Sequence, residues 1–222
     1  MNNIPVLYED DSLFIIHKPA GLLSEDVPGG VIPALREQTG HTALYCVHRL
    51  DREVGGLLVV AKSKKAVAPL TEAFTAGAVQ KRYLAVLTGV PEEAEATLSD
   101  YIYHDPKKNR SYVVKSLRKG VKEASLAYRA LSGGMIGEQK VTLAEVFPKT
   151  GRSHQIRLQF ASRKLPLAGD ARYGSTIRSC PIGLFCAGLS FRHPLTGKPL
   201  SFSVLPEQAL PWAAFPSIDN KE

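Results

Sequence analysis

Apolar residues fall along this chain in short runs and alternations rather than in long helical stripes. Leu13-Phe14-Ile15-Ile16 is an apolar run of strand length, closed by Lys18-Pro19-Ala20-Gly21. Leu57 to Ala61 forms a second such run. Tyr83, Ala85 and Leu87 alternate with Leu84 and Val86, which predicts a strand over 82–88 covered on both faces. Further strands are predicted over 124–131 and 140–147, and at the alternating Leu200, Phe202 and Val204. One helix is predicted, with Ser63 as its cap, Val67, Leu70 and Phe74 on one face, and Gly77 at its end. Residues 28–34, with two prolines and two glycines, read as a loop. Residues 153–162 read two ways: Ile156, Leu158 and Phe160 alternate as in a strand, yet Ser153 suits a helix cap and Ile156 and Phe160 form a helical pair.

Many strands and few helices give an α+β fold with a mixed, mainly antiparallel sheet and flanking helices. There is no repeat at solenoid periods, no low-complexity segment and no break in composition. A single domain over 1–222 is expected, with residues 206–222 as a tail wrapping the surface.

Charge narrows the partners. The chain carries a net charge of +7 and has a pI of about 9.3, which points to a polyanionic partner, nucleic acid among the candidates. Residues 91–97 are an acidic, Ala-rich connection. The strongest basic cluster lies over 104–119, where Lys107, Lys108, Arg110, Lys115, Arg118 and Lys119 surround Tyr112; it reads either as a solvated hairpin or as an RNA-facing loop. Cys46, Cys180 and Cys186 form no CxxC pair and read as small buried hydrophobes in a reducing compartment. Glu9-Asp10-Asp11 interrupts any signal-peptide pattern, and no window is apolar enough for a membrane span, so a cytoplasmic protein is expected.

Candidate chemistry centres on Val47-His48-Arg49-Leu50-Asp51-Arg52-Glu53-Val54-Gly55-Gly56. Most aspartates before a glycine pair are turn or cap residues. Asp51 differs in its company: Arg49 and Arg52 flank it, and the following apolar strand anchors the turn. Nearby cations favour an ionised acid, as a nucleophile requires. The second cluster is Gly151-Arg152-Ser153-His154-Gln155-Ile156-Arg157, either a basic helix start or the source of an arginine for a carboxylate or phosphate. His41, Cys46 and His48 fit no zinc spacing, so no metal is expected. Nucleotide-cradling and serine-hydrolase motifs are absent, and Asp51-Arg52-Glu53-Val54 is only a faint match to an aspartyl-phosphate phosphatase motif.

Taken together, these segments resemble the RluA family of RNA pseudouridine synthases. The resemblance runs from Tyr8-Glu9-Asp10-Asp11-Ser12-Leu13 and His17-Lys18-Pro19-Ala20-Gly21, through His48-Arg49-Leu50-Asp51-Arg52 and Lys81-Arg82-Tyr83-Leu84-Ala85-Val86. It continues in Thr150-Gly151-Arg152-Ser153-His154-Gln155-Ile156-Arg157, Gly169-Asp170-Ala171-Arg172-Tyr173-Gly174 and His193-Pro194-Leu195-Thr196-Gly197-Lys198-Pro199-Leu200. Each motif is modestly specific; all of them in this order are highly specific.

The resemblance implies a pseudouridine synthase catalytic domain that isomerises uridine in ribosomal or transfer RNA without a cofactor, its sheet surrounding a central active-site cleft. It implies Asp51 as the catalytic acid, attacking ribose C1′ or uracil C6, Arg157 as the ion partner of Asp51, and Tyr83 against the target base. His48, Arg49, Leu50, Arg52, Arg152, His154, Gln155 and Ile156 are implied around the substrate, with Arg49 filling the place the extruded base leaves. Where the family usually has Thr-Ser-Gly this chain has Val54-Gly55-Gly56, which predicts a more mobile turn; Leu158-Gln159 replaces the family's apolar-His. The first motif comes almost at once, so no N-terminal S4 domain is expected and RNA grip falls to the catalytic domain, with 107–119 a candidate. A monomer is expected. The competing reading is a catalytically silent RNA-binding protein acting in RNA folding or ribosome assembly; an intact Asp51, Tyr83 and Arg157 argue against it.

Overall fold

A computed structural model describes residues 3–216. In chain order the elements are β1 (Val6–Glu9), β2 (Leu13–Lys18), α1 (Val31–Thr39), β3 (Tyr45–Cys46), β4 (Gly55–Ala61), α2 (Lys64–Thr75), β5 (Gln80–Thr88) and β6 (Glu95–Asp105). They continue with β7 (Arg110–Val114), β8 (Val121–Ile136), β9 (Gln139–Pro148), α3 (Gln155–Ala161), β10 (Leu184–Arg192) and β11 (Pro199–Ser203). Strands dominate, which gives the α+β class. The chain forms two compact units, Met1–Lys81 with Phe185–Pro206 and Arg82–Leu184 with Glu207–Glu222.

In the first unit β4 is the centre. All seven of its residues are buried, as the apolar Gly-Gly-Leu-Leu-Val-Val-Ala sequence requires of a strand covered on both faces. It pairs antiparallel with β2, from Leu13 opposite Ala61 to Lys18 opposite Gly56, and with the short β3. β10 joins it in parallel at Gly55 and Gly56 and carries β11 on its other side. The glycine pair therefore lies inside β4, beyond the turn. Gly56 has φ +116°, and a Cβ there would stand 2.3 Å from the Cys186 carbonyl oxygen, so only glycine fits.

The second unit is an antiparallel sheet in which β9 lies between β5 and β8, β8 pairs with β6, and β6 with β7. Its tail is exposed over residues 207–210 and anchored beyond them. Trp212 and Phe215 are buried, and the backbone of Ala214 and the ring of Phe215 press on Gly134 of β8, where a Cβ would come within 3 Å of both. The Phe215 ring meeting a glycine in a long strand, with Trp212 buried nearby in sequence, anchors the segment; residues 217–222 of that expected tail lie outside the described residues.

Segment 28–34 is not a loop throughout: α1 begins at Val31. Pro33 falls in the first turn, where the missing N–H is one of the helix's unpaired donors in any case. Val31, Ile32 and Leu35 form its buried face, and Gly40 closes it in the left-handed conformation with its N–H on the Arg36 carbonyl. Residues 153–162 resolve as α3, but its cap is His154, held at φ +56°, and not Ser153. Ser63 does precede α2, without a side-chain capping bond.

Candidate active site

Asp51 opens a tight turn closed by the Val54 N–H on the Asp51 carbonyl, 3.0 Å. Two buried side chains frame it. Ser24 Oγ accepts the Leu50 N–H and donates to the Leu50 carbonyl, both at 3.0 Å, so a hydroxyl pairs with a whole peptide unit beside Asp51. Lys18, at the end of β2 and fully buried, points its ammonium at the carbonyls of Pro19 (3.0 Å), Leu22 (2.7 Å) and Arg52 (3.3 Å). Burial pushes the Lys18 pKa down to about 8, against the pull of the Asp51, Glu53 and Glu25 carboxylates. The Gly21 N–H on the Arg52 carbonyl, 2.7 Å, and Arg52 Nε on the Gly21 carbonyl, 3.0 Å, tie the turn to the Lys18-Pro19-Ala20-Gly21 segment. The result is a rigid turn with a buried cation beneath its acid. The sequence shows Lys18 only as a strand end before Pro19-Ala20-Gly21, and nothing local marks Ser24, whose partner Leu50 lies 26 residues away.

The neighbours of Asp51 divide. Arg49 is exposed and held by Glu25 at 2.7 Å. Leu50 is buried under the turn. His48 is committed inside the protein: its Nε2 accepts the Val59 N–H at 2.9 Å and its ring stacks on Phe74 with centroids 3.9 Å apart. Burial, with the Lys81 charge adding to it, drives the His48 pKa down to about 3, so the imidazole is neutral and anchors the turn to β4. At the far edge of the same unit, His193 Nδ1 accepts the Leu195 and Thr196 N–H groups while Nε2 meets Asp10 at 3.0 Å, joining the opening motif to the closing one.

In the second unit, Tyr83 sits in β5 opposite Val146 of β9. Next to it Arg82 shares Glu145 with Arg129, at 3.1 and 2.7 Å, which fixes the strand beside the tyrosine. Arg157 lies on α3 and is buried. Its Nε and Nη2 donate to the two carboxylate oxygens of Asp170 at 2.7 and 2.9 Å, the side chains 3% and 0% exposed. Its guanidinium also lies 5.3 Å from the centre of the Tyr173 ring. The Tyr173 hydroxyl accepts the Ser111 N–H at 3.1 Å and meets His154 Nδ1 at 2.8 Å. In the sequence Asp170 and Tyr173 stand in the Gly169-to-Gly174 motif; the fold makes Asp170 the bidentate partner of Arg157 and sets the Tyr173 ring beside its guanidinium.

Gln155 faces inward, contrary to its expected place at the substrate. Its Oε1 accepts from Thr150 Oγ1 and the Arg152 N–H, and its Nε2 donates to the Ser125 carbonyl and Gln159. These bonds use the amide's hydrogen-bonding capacity on the loop before α3, on β8 and on α3 itself. Gln159, in place of the family's histidine, is fully buried and reaches Asp100 of β6 at 2.7 Å. Arg152 donates from Nε to the Glu123 carbonyl at 2.8 Å, and Ile156 is buried. Among the described residues no cluster of three or more His, Cys, Asp or Glu could hold a metal ion, and no helix is long and apolar enough to cross a membrane.

The chain is similar to known proteins along most of its length. The model of the family described as RNA pseudouridylate synthase matches residues 12–162. An uncharacterized RNA pseudouridine synthase of Bacillus subtilis is 32% identical over 92% of this chain and 70% of its own length. Ribosomal large subunit pseudouridine synthase C of Buchnera aphidicola is 31% identical over 89% of this chain, which spans 65% of that protein. The tRNA pseudouridine synthase C of Vibrio cholerae is 29% identical over 89% of this chain and 88% of itself. Among solved structures, human RNA pseudouridylate synthase domain containing 1 shares the fold with a TM-score of 0.80 at 24% identity, covering 94% of this chain and 85% of that one. The motifs from Lys18 to Arg157 and these matches together establish that the chain belongs to the RNA pseudouridylate synthase family, a family of isomerases, in its RluA-type branch.

Proposed function

We propose that this protein isomerises specific uridines of ribosomal or transfer RNA to pseudouridine, with Asp51 as the nucleophile, Tyr83 against the target base and Arg157 as the counter-charge of the acid. The observation that carries the reading is the Asp51 turn. Ser24 and Lys18 fix the backbone on both sides of the carboxylate, which is more support than a surface turn needs and is what a positioned nucleophile requires.

The reaction breaks the N1–C1′ bond of the nucleoside and forms C5–C1′. Asp51 bonds to C1′ or to C6 in between and leaves when the new bond is complete. C5 gives up its proton and N1 gains one, so substrate and product have the same composition and no oxidant or group donor enters. The uracil must leave the RNA stack first, at a cost of a few kcal/mol that is least in loops and bulges. An aromatic ring such as Tyr83 replaces part of the stacking lost. Arg49, exposed and paired only at the surface with Glu25, suits the vacated position in the RNA.

The test is a pseudouridine map of total RNA from cells lacking the gene, incubated with purified protein. Wild type restores pseudouridine at discrete sites and Asp51→Asn restores none. Normal yield from the Asn variant would sink the assignment of Asp51; no yield from wild type would sink the activity on cellular RNA.

A further inference from the structure

We propose that the β6–β7 hairpin is a docking surface for the phosphate backbone of the RNA, and that the turn over residues 169–174 holds it in fixed register with Arg157. The inference rests on the synthase reading above and adds a second RNA contact to it. From residue 106 to residue 122 the sequence contains no acid. Lys107, Lys108, Lys115, Arg118 and Lys119 are all exposed, and none has an ion-pair partner among the described residues. The nearest acid, Asp105, uses Oδ1 to accept the Lys107 and Lys108 N–H groups, so it shapes the turn. Tyr112 is exposed beside the Arg110 guanidinium, 5.8 Å from its ring centre, a pairing suited to stacking on a base.

A merely solvated hairpin would not need the anchorage this one has. Arg172 Nη1 donates to the Asn109 carbonyl at 2.7 Å. The Tyr173 hydroxyl holds the Ser111 N–H, and the Arg110 guanidinium lies 5.6 Å from the Tyr173 ring centre. Ser111 Oγ donates to the Ser153 carbonyl at 2.8 Å, on the loop leading to α3. The same short turn grips Arg157 through Asp170 and Tyr173. One turn thus binds both the basic hairpin and the buried guanidinium, and sets the distance between them. A backbone bound on the hairpin is thereby placed at a fixed offset from Arg157.

The test uses the full chain with two probes: a short synthetic RNA stem–loop for binding, and total RNA from cells lacking the gene for turnover. Lys107→Ala/Lys108→Ala/Lys119→Ala is expected to flatten the slope of log Kobs against log salt by about two to three and to raise KM at least about tenfold. An unchanged slope overturns the docking surface. Tyr173→Phe and the exposed Arg172→Ala keep every basic side chain of the hairpin. Each is expected to leave the salt slope as in wild type and lower kcat about tenfold, the cost of misplacement rather than of lost binding. Arg172→Ala decides the point if Tyr173→Phe lowers the melting temperature, and an unchanged kcat in Arg172→Ala overturns the register. If wild type converts no uridine while the triple variant still flattens the slope, the synthase reading fails and the docking surface stands.

Discussion

The Asp51 turn and the Arg157 helix are held by opposite means. Around Asp51 the protein grips backbone: Ser24 pairs with the Leu50 peptide, and Lys18 collects three carbonyls. Around Arg157 it grips the side chain itself, with a bidentate carboxylate and an aromatic face. The difference follows from reach. A short aspartate is aimed by fixing its own peptide, whereas a long guanidinium on a seven-residue helix needs its far end caught. The acid can therefore be changed with little cost to the fold, and the arginine cannot.

That contrast is open to direct attack. The largest expected effect is on activity: Asp51→Asn should lower turnover by about 10^4-fold or more, with a melting temperature close to wild type. A large fall in melting temperature would erase the difference between the two regions. Arg157→Ala should instead destabilise by about 3–5 kcal/mol, because Asp170 is left buried and charged; denaturant unfolding measures it. Arg157→Met/Asp170→Leu sharpens the point, since an apolar replacement of the whole pair should recover most of that stability while activity stays lost. Ser24→Ala strands the buried Leu50 N–H and should cost about 1–3 kcal/mol, together with kcat, because the acid loses half its frame.

The smallest effects are in pH. His48 has a folded pKa of about 3 against an ordinary 6.5. Between those values the unfolded chain takes up a proton that the folded chain refuses, so stability falls as pH drops below 6.5; His48→Gln should flatten that limb. Lys18 has a folded pKa of about 8 against 10.5. Across that window the unfolded chain holds the extra proton, so this group makes stability rise with pH. Activity should move the other way, since the neutral amine has one donor fewer for three carbonyls and no charge beneath Asp51. A pH–rate profile that stays flat above pH 8 would remove Lys18 from the frame of the acid.

Much of this was legible in the sequence where the signal was local. Apolar runs placed β2, β4 and most of β5, and the ordered motifs placed Asp51, Tyr83 and Arg157 in one family. What escaped depends on contacts distant along the chain. Nothing near Val31 announces that Pro33 will fall in a helix's first turn, and nothing near Pro206 announces that Phe215 will pack on Gly134 of β8. His48 and Gln155 sit within the motifs that carry Asp51 and Arg157, yet a stacked ring and a saturated amide turn them inward. Residue type and spacing identify such positions as important; only the partners, Val59 for one and Ser125 for the other, say that they hold the loops.

Gly56 carries a consequence for synthesis. Its backbone lies against Cys186, and that parallel pairing joins β4 to a strand about 130 residues later in the chain. The first unit is interrupted by the whole of Arg82–Leu184. A nascent chain emerging from the ribosome therefore presents the Asp51 turn long before β10 exists to finish the sheet beside it. Contacts of such long sequence separation form late, so the sheet beside the Asp51 turn is completed only once β10 has been made.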